Sequence, residues 1–128
     1  MIEYNGWISL LNRTDGEGDI ESLKKSISRI SDLIVGYNEI INQSFEIKLF
    51  NGSYVLFVGG NHNHDSDYSN DLLFLLKKIA NITPGSYGVI YIRLPEDGAD
   101  YNTFKIYKLA KSKAVSYTHL TLPTTPYV

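Results

Sequence analysis

Asn51-Gly52 constrains this chain more than any other pair of residues in it. The pair sits between two runs of alternating apolar residues, Phe45–Phe50 and Ser53–Val58. A two-residue hairpin of type I′ needs positive φ at both central positions, and Asn-Gly is the pair that tolerates this best. With Asn51 and Gly52 as the turn, Phe50 faces Ser53, Leu49 faces Tyr54, Ile47 faces Leu56 and Phe45 faces Val58. Side chains alternate across a strand, so Phe45, Ile47, Leu49, Tyr54, Leu56 and Val58 share one face. That face is expected to be a core face with helices packed on it. A slip of one residue would turn the whole set outward. Glu46, Lys48, Val55 and Phe57 make the other side mixed.

The remaining elements follow in order. Ile2–Asn12 reads as a strand with Ile2, Tyr4, Gly6, Ile8 and Leu10 on one face and Glu3, Asn5, Trp7, Ser9 and Leu11 on the other. Trp7, the single tryptophan, is either a packed aromatic or a half-exposed contact residue. After a polar loop, Asp19 can cap a helix whose stripe is Ile20, Leu23, Ile27, Ile30 and Ile34. Gly36 is its expected stop, and Tyr37–Ser44 continues as a further turn or a loop. Past the hairpin, Gly59-Gly60 ends the strand or allows a bulge. A second helix is expected over about 69–82, capped by Ser69, with Leu72, Leu75, Leu76, Ile79 and Ile82 as its stripe and Pro84-Gly85 as its stop. Ser86–Leu94 is apolar on both faces, which marks a central strand. Tyr101–Leu109 is the last strand, with Phe104 and Ile106 inward and Lys105 and Lys108 outward. The order is β-α-β-β-α-β-β. It predicts a single α+β domain with a mostly antiparallel sheet and two helices on one face.

Val115–Val128 breaks character, with no charged residue and a crowding of threonine and proline. One frame of a transposon-end sequencing adapter translates to the same residues as Val115–Thr124, at ten consecutive positions. The reading is therefore a domain over 1–114, cut short at its C-terminus, and a non-native tail over 115–128 that packs poorly.

The charge is −2 at pH 7 and the pI about 5.9, so there is no basic footprint for nucleic acid. The absence of cysteine removes disulfides, thiolate metal sites and cysteine catalysis. Met1–Leu11 lacks the pattern of a secretory signal, and no apolar run approaches the ~20 residues of a membrane helix. His62, His64, Asp65 and Asp67 are the one cluster of candidate ligands, and a small metal-dependent hydrolase built on His62, His64 and Asp67 is the alternative reading. Against it, Ser66 stands where the His-x-His-x-Asp-His pattern of metallo-β-lactamase-like enzymes has its aspartate. Asn and His also order loops by bonding to backbone. Glu96, Asp97 and Asp100 read as a solvated loop or as an acidic patch that steers a basic partner. No phosphate loop, nucleophile elbow or Ser/His/Asp set appears, so no catalytic residue, cofactor or metal site is assigned.

Four stretches together resemble one family. Tyr-Asn-Gly-Trp at 4–7, Asn-Gly-Ser-Tyr at 51–54, His-Asn-His at 62–64 and Pro-Gly-Ser-Tyr-Gly-Val-Ile-Tyr-Ile-Arg at 84–93 occur in the order and spacing of the immunity protein 7 family of bacterial polymorphic toxin systems. The likeness runs from Met1 to about Ala110. It implies a small cytoplasmic α+β protein that binds a toxin domain, a nuclease among the toxin classes, and blocks it. Two departures stand out: Asp65 replaces the Arg that often follows the His-Asn-His triplet, and the tail replaces an acidic, proline-containing C-terminal segment. On this reading the partner-binding residues are Trp7, His62, His64, Asp65, Asp67, Glu96, Asp97 and Asp100. Nucleic acid and membrane are not partners.

Overall fold

The computed structural model describes residues 2–13, 18–41, 45–62, 68–94 and 103–119. In chain order these form β1 (Ile2–Ser9), α1 (Ile20–Ile41), β2 (Phe45–Phe50), β3 (Ser53–His62), α2 (Tyr68–Ile82), β4 (Tyr87–Leu94), β5 (Thr103–Ala110) and β6 (Lys113–His119). The six strands make one sheet in the order β2-β3-β1-β4-β5-β6, and every neighbouring pair is antiparallel. The first four strands and two helices form two interlocked split β-α-β crossovers, a ferredoxin-like arrangement. β3 lies between β2 and β1, and β1 lies between β3 and β4. β5 and β6 extend the sheet as a hairpin.

The β2–β3 hairpin has the expected register, from Phe50 opposite Ser53 to Phe45 opposite Val58. Asn51 and Gly52 take φ of 51° and 79°. Its apolar face runs out toward the turn, however. Phe45, Leu56 and Val58 are buried, whereas Leu49 is 63% exposed. The helices cover the base of the hairpin and leave its tip in water.

One core lies between the sheet and the helices. Tyr4, Ile8 and Leu10 of the first strand and its exit meet Ile90 and Ile92 of β4, Tyr107 and Leu109 of β5, and the stripes of both helices. Ile27, Ile30 and Ile34 carry the stripe of α1; Leu72, Leu75, Leu76 and Ile79 carry that of α2. α1 lies toward β2 and α2 toward β5 and β6. Asp19 caps α1 as expected: its Oδ1 accepts from the Glu21 amide at 3.1 Å. Ile20 falls in the first turn and is exposed.

At the centre of the sheet, two glycines set how closely β1 and β4 approach. Gly6 is opposite Ile90 and Gly88 is opposite Ile8. A Cβ on Gly88 would run into the Trp7 carbonyl and the Ile8 Cα; one on Gly6 would meet the Val89 carbonyl and the Ile90 Cα. Each strand thus omits a side chain where the other buries an isoleucine.

Three expectations are corrected. Gly36 does not stop α1, which continues to Ile41. The cost of a helical glycine, about 0.5–1 kcal/mol relative to alanine, is too small to end a helix that is already formed, since adding a residue to it needs no new nucleus. In β5, Tyr107 and Leu109 face inward instead of Phe104 and Ile106. Strict alternation also puts Lys105 on the inner face, with its Nζ 5.5 Å from the Tyr107 ring centroid, and leaves Lys108 outward with Phe104 and Ile106. Finally, the sheet has a sixth strand. Lys111 and Ser112, with φ of 51° and 62°, close a two-residue turn, and 113–119 pair with β5 along the sheet edge. Of the stretch set apart as a tail, Val115–His119 therefore belong to β6, where Val115 is 40% exposed, and 120–128 lie outside the described residues.

The two kinds of glycine predict opposite outcomes. Gly36 is exposed with open space where a Cβ would go, so Gly36→Ala should stabilise by about 0.5–1 kcal/mol. Gly88→Ala should destabilise by about 1–3 kcal/mol or more, because the strands must part. Urea denaturation of the two variants beside the parent checks both signs.

Candidate interaction surface

The helices cover one face of the sheet, and the alternation that fills the core sends the other half of each central strand to the opposite face. There Trp7 of β1 is directly opposite Phe57 of β3 on one side and Val89 of β4 on the other. Tyr87 and Tyr91 flank Val89 along β4. Trp7 is 41% exposed, Phe57 39%, Tyr87 47% and Tyr91 44%. The Trp7 and Tyr87 rings meet edge to face, with centroids 6.0 Å apart and planes at 87°. The result is a contiguous aromatic patch across β3, β1 and β4. Outward-facing positions of a sheet with one solvated face are ordinarily polar, which makes such a patch informative.

Charges border the patch. Arg93 Nη1 is 3.3 Å from Glu3 Oε1, across the β1–β4 pair, and Lys48 Nζ is 3.7 Å from Glu46 Oε1 within β2. Lys108 stands opposite Val89 and Val115, and Lys113 opposite Ala110. Neither lysine makes an ion pair among the described residues.

Of the two readings given for Trp7, its exposure fits a side chain open to solvent rather than one fully packed. The tyrosines divide: Tyr107 is buried, Tyr54 half-buried, and Tyr87 and Tyr91 exposed. His62 is the last residue of β3 and pairs with Ile2. His64, Asp65, Asp67, Glu96, Asp97 and Asp100 lie outside the described residues. The strand ends that bound them are described, and they converge. β3 ends at His62 and β4 ends at Leu94, on either side of the start of β1. Both acid-bearing stretches therefore leave the sheet at the same end. Trp7 is five residues further along β1, about 17 Å from that end at strand rise. Phe57, Tyr87 and Tyr91 were not singled out as site residues. The signal for Phe57 was its place off the core face of the hairpin.

At the opposite end of the sheet, Leu10, Leu11, Arg13, Asp19, Leu23 and Tyr54 are among the residues lining an open cleft of about 440 Å³. Among the described residues, no group of three or more His, Asp or Glu is placed to hold a metal ion, and no helix is long and apolar enough to cross a membrane.

The motif at 84–93 is tied to this surface by its fold. Thr83 and Ser86 are fully buried polar residues at the α2–β4 corner. The Thr83 hydroxyl donates to the Ile79 carbonyl at 3.0 Å, the Ser86 hydroxyl donates to Thr83 Oγ1 at 2.7 Å, and Ser86 Oγ accepts from the Leu11 amide at 3.1 Å. The Gly85 amide donates to the Leu11 carbonyl at 2.8 Å, and a Cβ on Gly85 would collide with the Arg13 backbone. This corner fixes the start of β4 against the exit of β1, and so fixes Tyr87 beside Trp7. Ser86→Ala leaves the Leu11 amide and the Thr83 hydroxyl short of a partner. It should cost about 1–3 kcal/mol in chemical denaturation, while Ser112→Ala, at an exposed bond to the Pro84 carbonyl, should cost less than about 1 kcal/mol.

No curated protein and no solved structure matches the chain. The family model of immunity protein 7 matches residues 1–128, further than the motifs alone reached. With the whole chain covered and the α+β fold in place, the protein belongs to the immunity protein 7 family.

Proposed function

We propose that the protein binds a cognate bacterial toxin domain in the cytoplasm of the cell that makes it and neutralises that domain by covering its working surface. The match of the immunity family over the full chain carries this reading. Blocking by occupancy needs complementary surface rather than reacting groups. Exposed Trp and Tyr on a rigid sheet are the residue types that supply such surface.

The acidic stretches add a second element to the proposal. In sequence, His64, Asp65 and Asp67 follow β3, which ends at His62, and Glu96, Asp97 and Asp100 follow β4, which ends at Leu94; those two strand ends flank the start of β1. Against a nuclease toxin, whose cleft is built to hold phosphates, such an acidic end stands in for nucleic-acid charge and accelerates encounter.

Two measurements test the reading. Co-expression with the toxin domain encoded beside it should restore growth, and the two purified chains should form a complex; continued toxicity without a complex would refute it. For the acidic end, replacing the five acids with Asn and Gln together should slow association about tenfold or more at low salt and flatten its salt dependence. Stopped-flow rates that match the parent at every ionic strength would reject that part.

A further inference from the structure

We infer that the toxin docks on the open face of the sheet, over Trp7, Phe57, Tyr87 and Tyr91, with a carboxylate-bearing rim of the toxin against Lys108. This rests on the reading of the protein as a toxin-binding chain and assigns the surface that does the binding.

The argument is one of shape and charge. The patch spans the three strands β3, β1 and β4, whose other sides are buried in the core, so its geometry is held by the scaffold. Rings fixed on a sheet lose little freedom on binding, and Tyr and Trp offer apolar area with a polar tip. The charges then select the occupant. The described acids on this face, Glu3 and Glu46, are already engaged by Arg93 and Lys48. Lys108 and Lys113 have no such partner among the described residues. A second copy laid face to face would bring unpaired lysines and no free described carboxylate to meet them. The face is complementary instead to a different chain, one with an apolar centre and an acidic border. By contrast, Phe74 on α2, though 56% exposed, stands alone with Lys78 Nζ 4.7 Å from its ring centroid.

The test uses the full chain and the toxin domain encoded beside it, with affinity measured by calorimetry. Trp7→Ala should weaken binding about 30-fold or more, as expected of a residue at the centre of an interface. Lys108→Glu should weaken it about tenfold at low salt, and the loss should shrink as salt is raised. Phe74→Ala should leave affinity within about twofold. Trp7 is also its own reporter, because acrylamide should quench its fluorescence in the free protein and much less in the complex. Circular dichroism checks that each variant is folded, and Tyr91→Ser replaces Trp7→Ala should the latter unfold. Parent-like affinity in folded face variants, with Trp7 still quenched in the complex, would overturn this inference and leave the toxin-binding function standing. A parent that forms no complex would overturn both. A parent that dimerises through this face, shown by sedimentation and reversed by Trp7→Ala, would overturn the heterologous assignment.

Discussion

Where β1 and β4 run side by side, each strand leaves out a side chain so that the other can bury an isoleucine. Gly6 opposite Ile90 and Gly88 opposite Ile8 bring the two backbones together at the middle of a six-stranded sheet. The surrounding features depend on that approach. It sets the floor on which Leu75, Leu76 and Ile79 of α2 and Ile30 of α1 pack. It also fixes Trp7 against Tyr87 on the far side, because inner and outer residues of one strand share the same backbone. The α2–β4 corner serves the same end, since Ser86 and Gly85 anchor the start of β4 to Leu11.

Two of the motifs that carry the family likeness are thus one object in space. Tyr-Asn-Gly-Trp at 4–7 lies opposite Val-Ile-Tyr-Ile at 89–92, and Ile8 and Ser9, which follow it, lie opposite Gly88 and Tyr87, 80 or so residues away in sequence. Their glycines, inward isoleucines and Tyr4 explain the fold. Their outward residues, Trp7, Tyr87 and Tyr91, are left over from that explanation. A protein that needed only a stable sheet would gain solubility from polar groups there.

Much of the fold was legible in the sequence because strong local signals agreed with burial. Asn51-Gly52 gave the hairpin register, Asp19 the start of α1, Pro84-Gly85 the end of α2, and the apolar character of 86–94 its central place. What was missed was missed for identifiable reasons. Gly36 is a weak stop, because a helical glycine costs only about 0.5–1 kcal/mol relative to alanine. The β5–β6 turn uses Lys111 and Ser112 at positive φ, where no Asn-Gly announces it, so the sixth strand was hidden. Both faces of β5 carry apolar residues, and only its pairing with Ile90 shows that Tyr107 points to the helices. For the surface the limit was different. Pattern alone showed that Trp7 lay off the core face, but not that Phe57 and Tyr91 would join it, because that needs the order β3-β1-β4. The acidic residues were legible as charge, and they lie outside the described residues.

That strand order also bears on how the molecule comes to be. β1 leaves the ribosome before both strands that border it, β3 and β4, and it stays unpartnered on one side until β4 has emerged. Its neighbours lie roughly 50 and 80 residues downstream, so most of the chain must be present before the middle of the sheet can close, the hallmark of a slow, high-contact-order folder. Assembly is therefore a late, cooperative event, in which Tyr4, Ile8 and their outward tryptophan wait together for a partner strand.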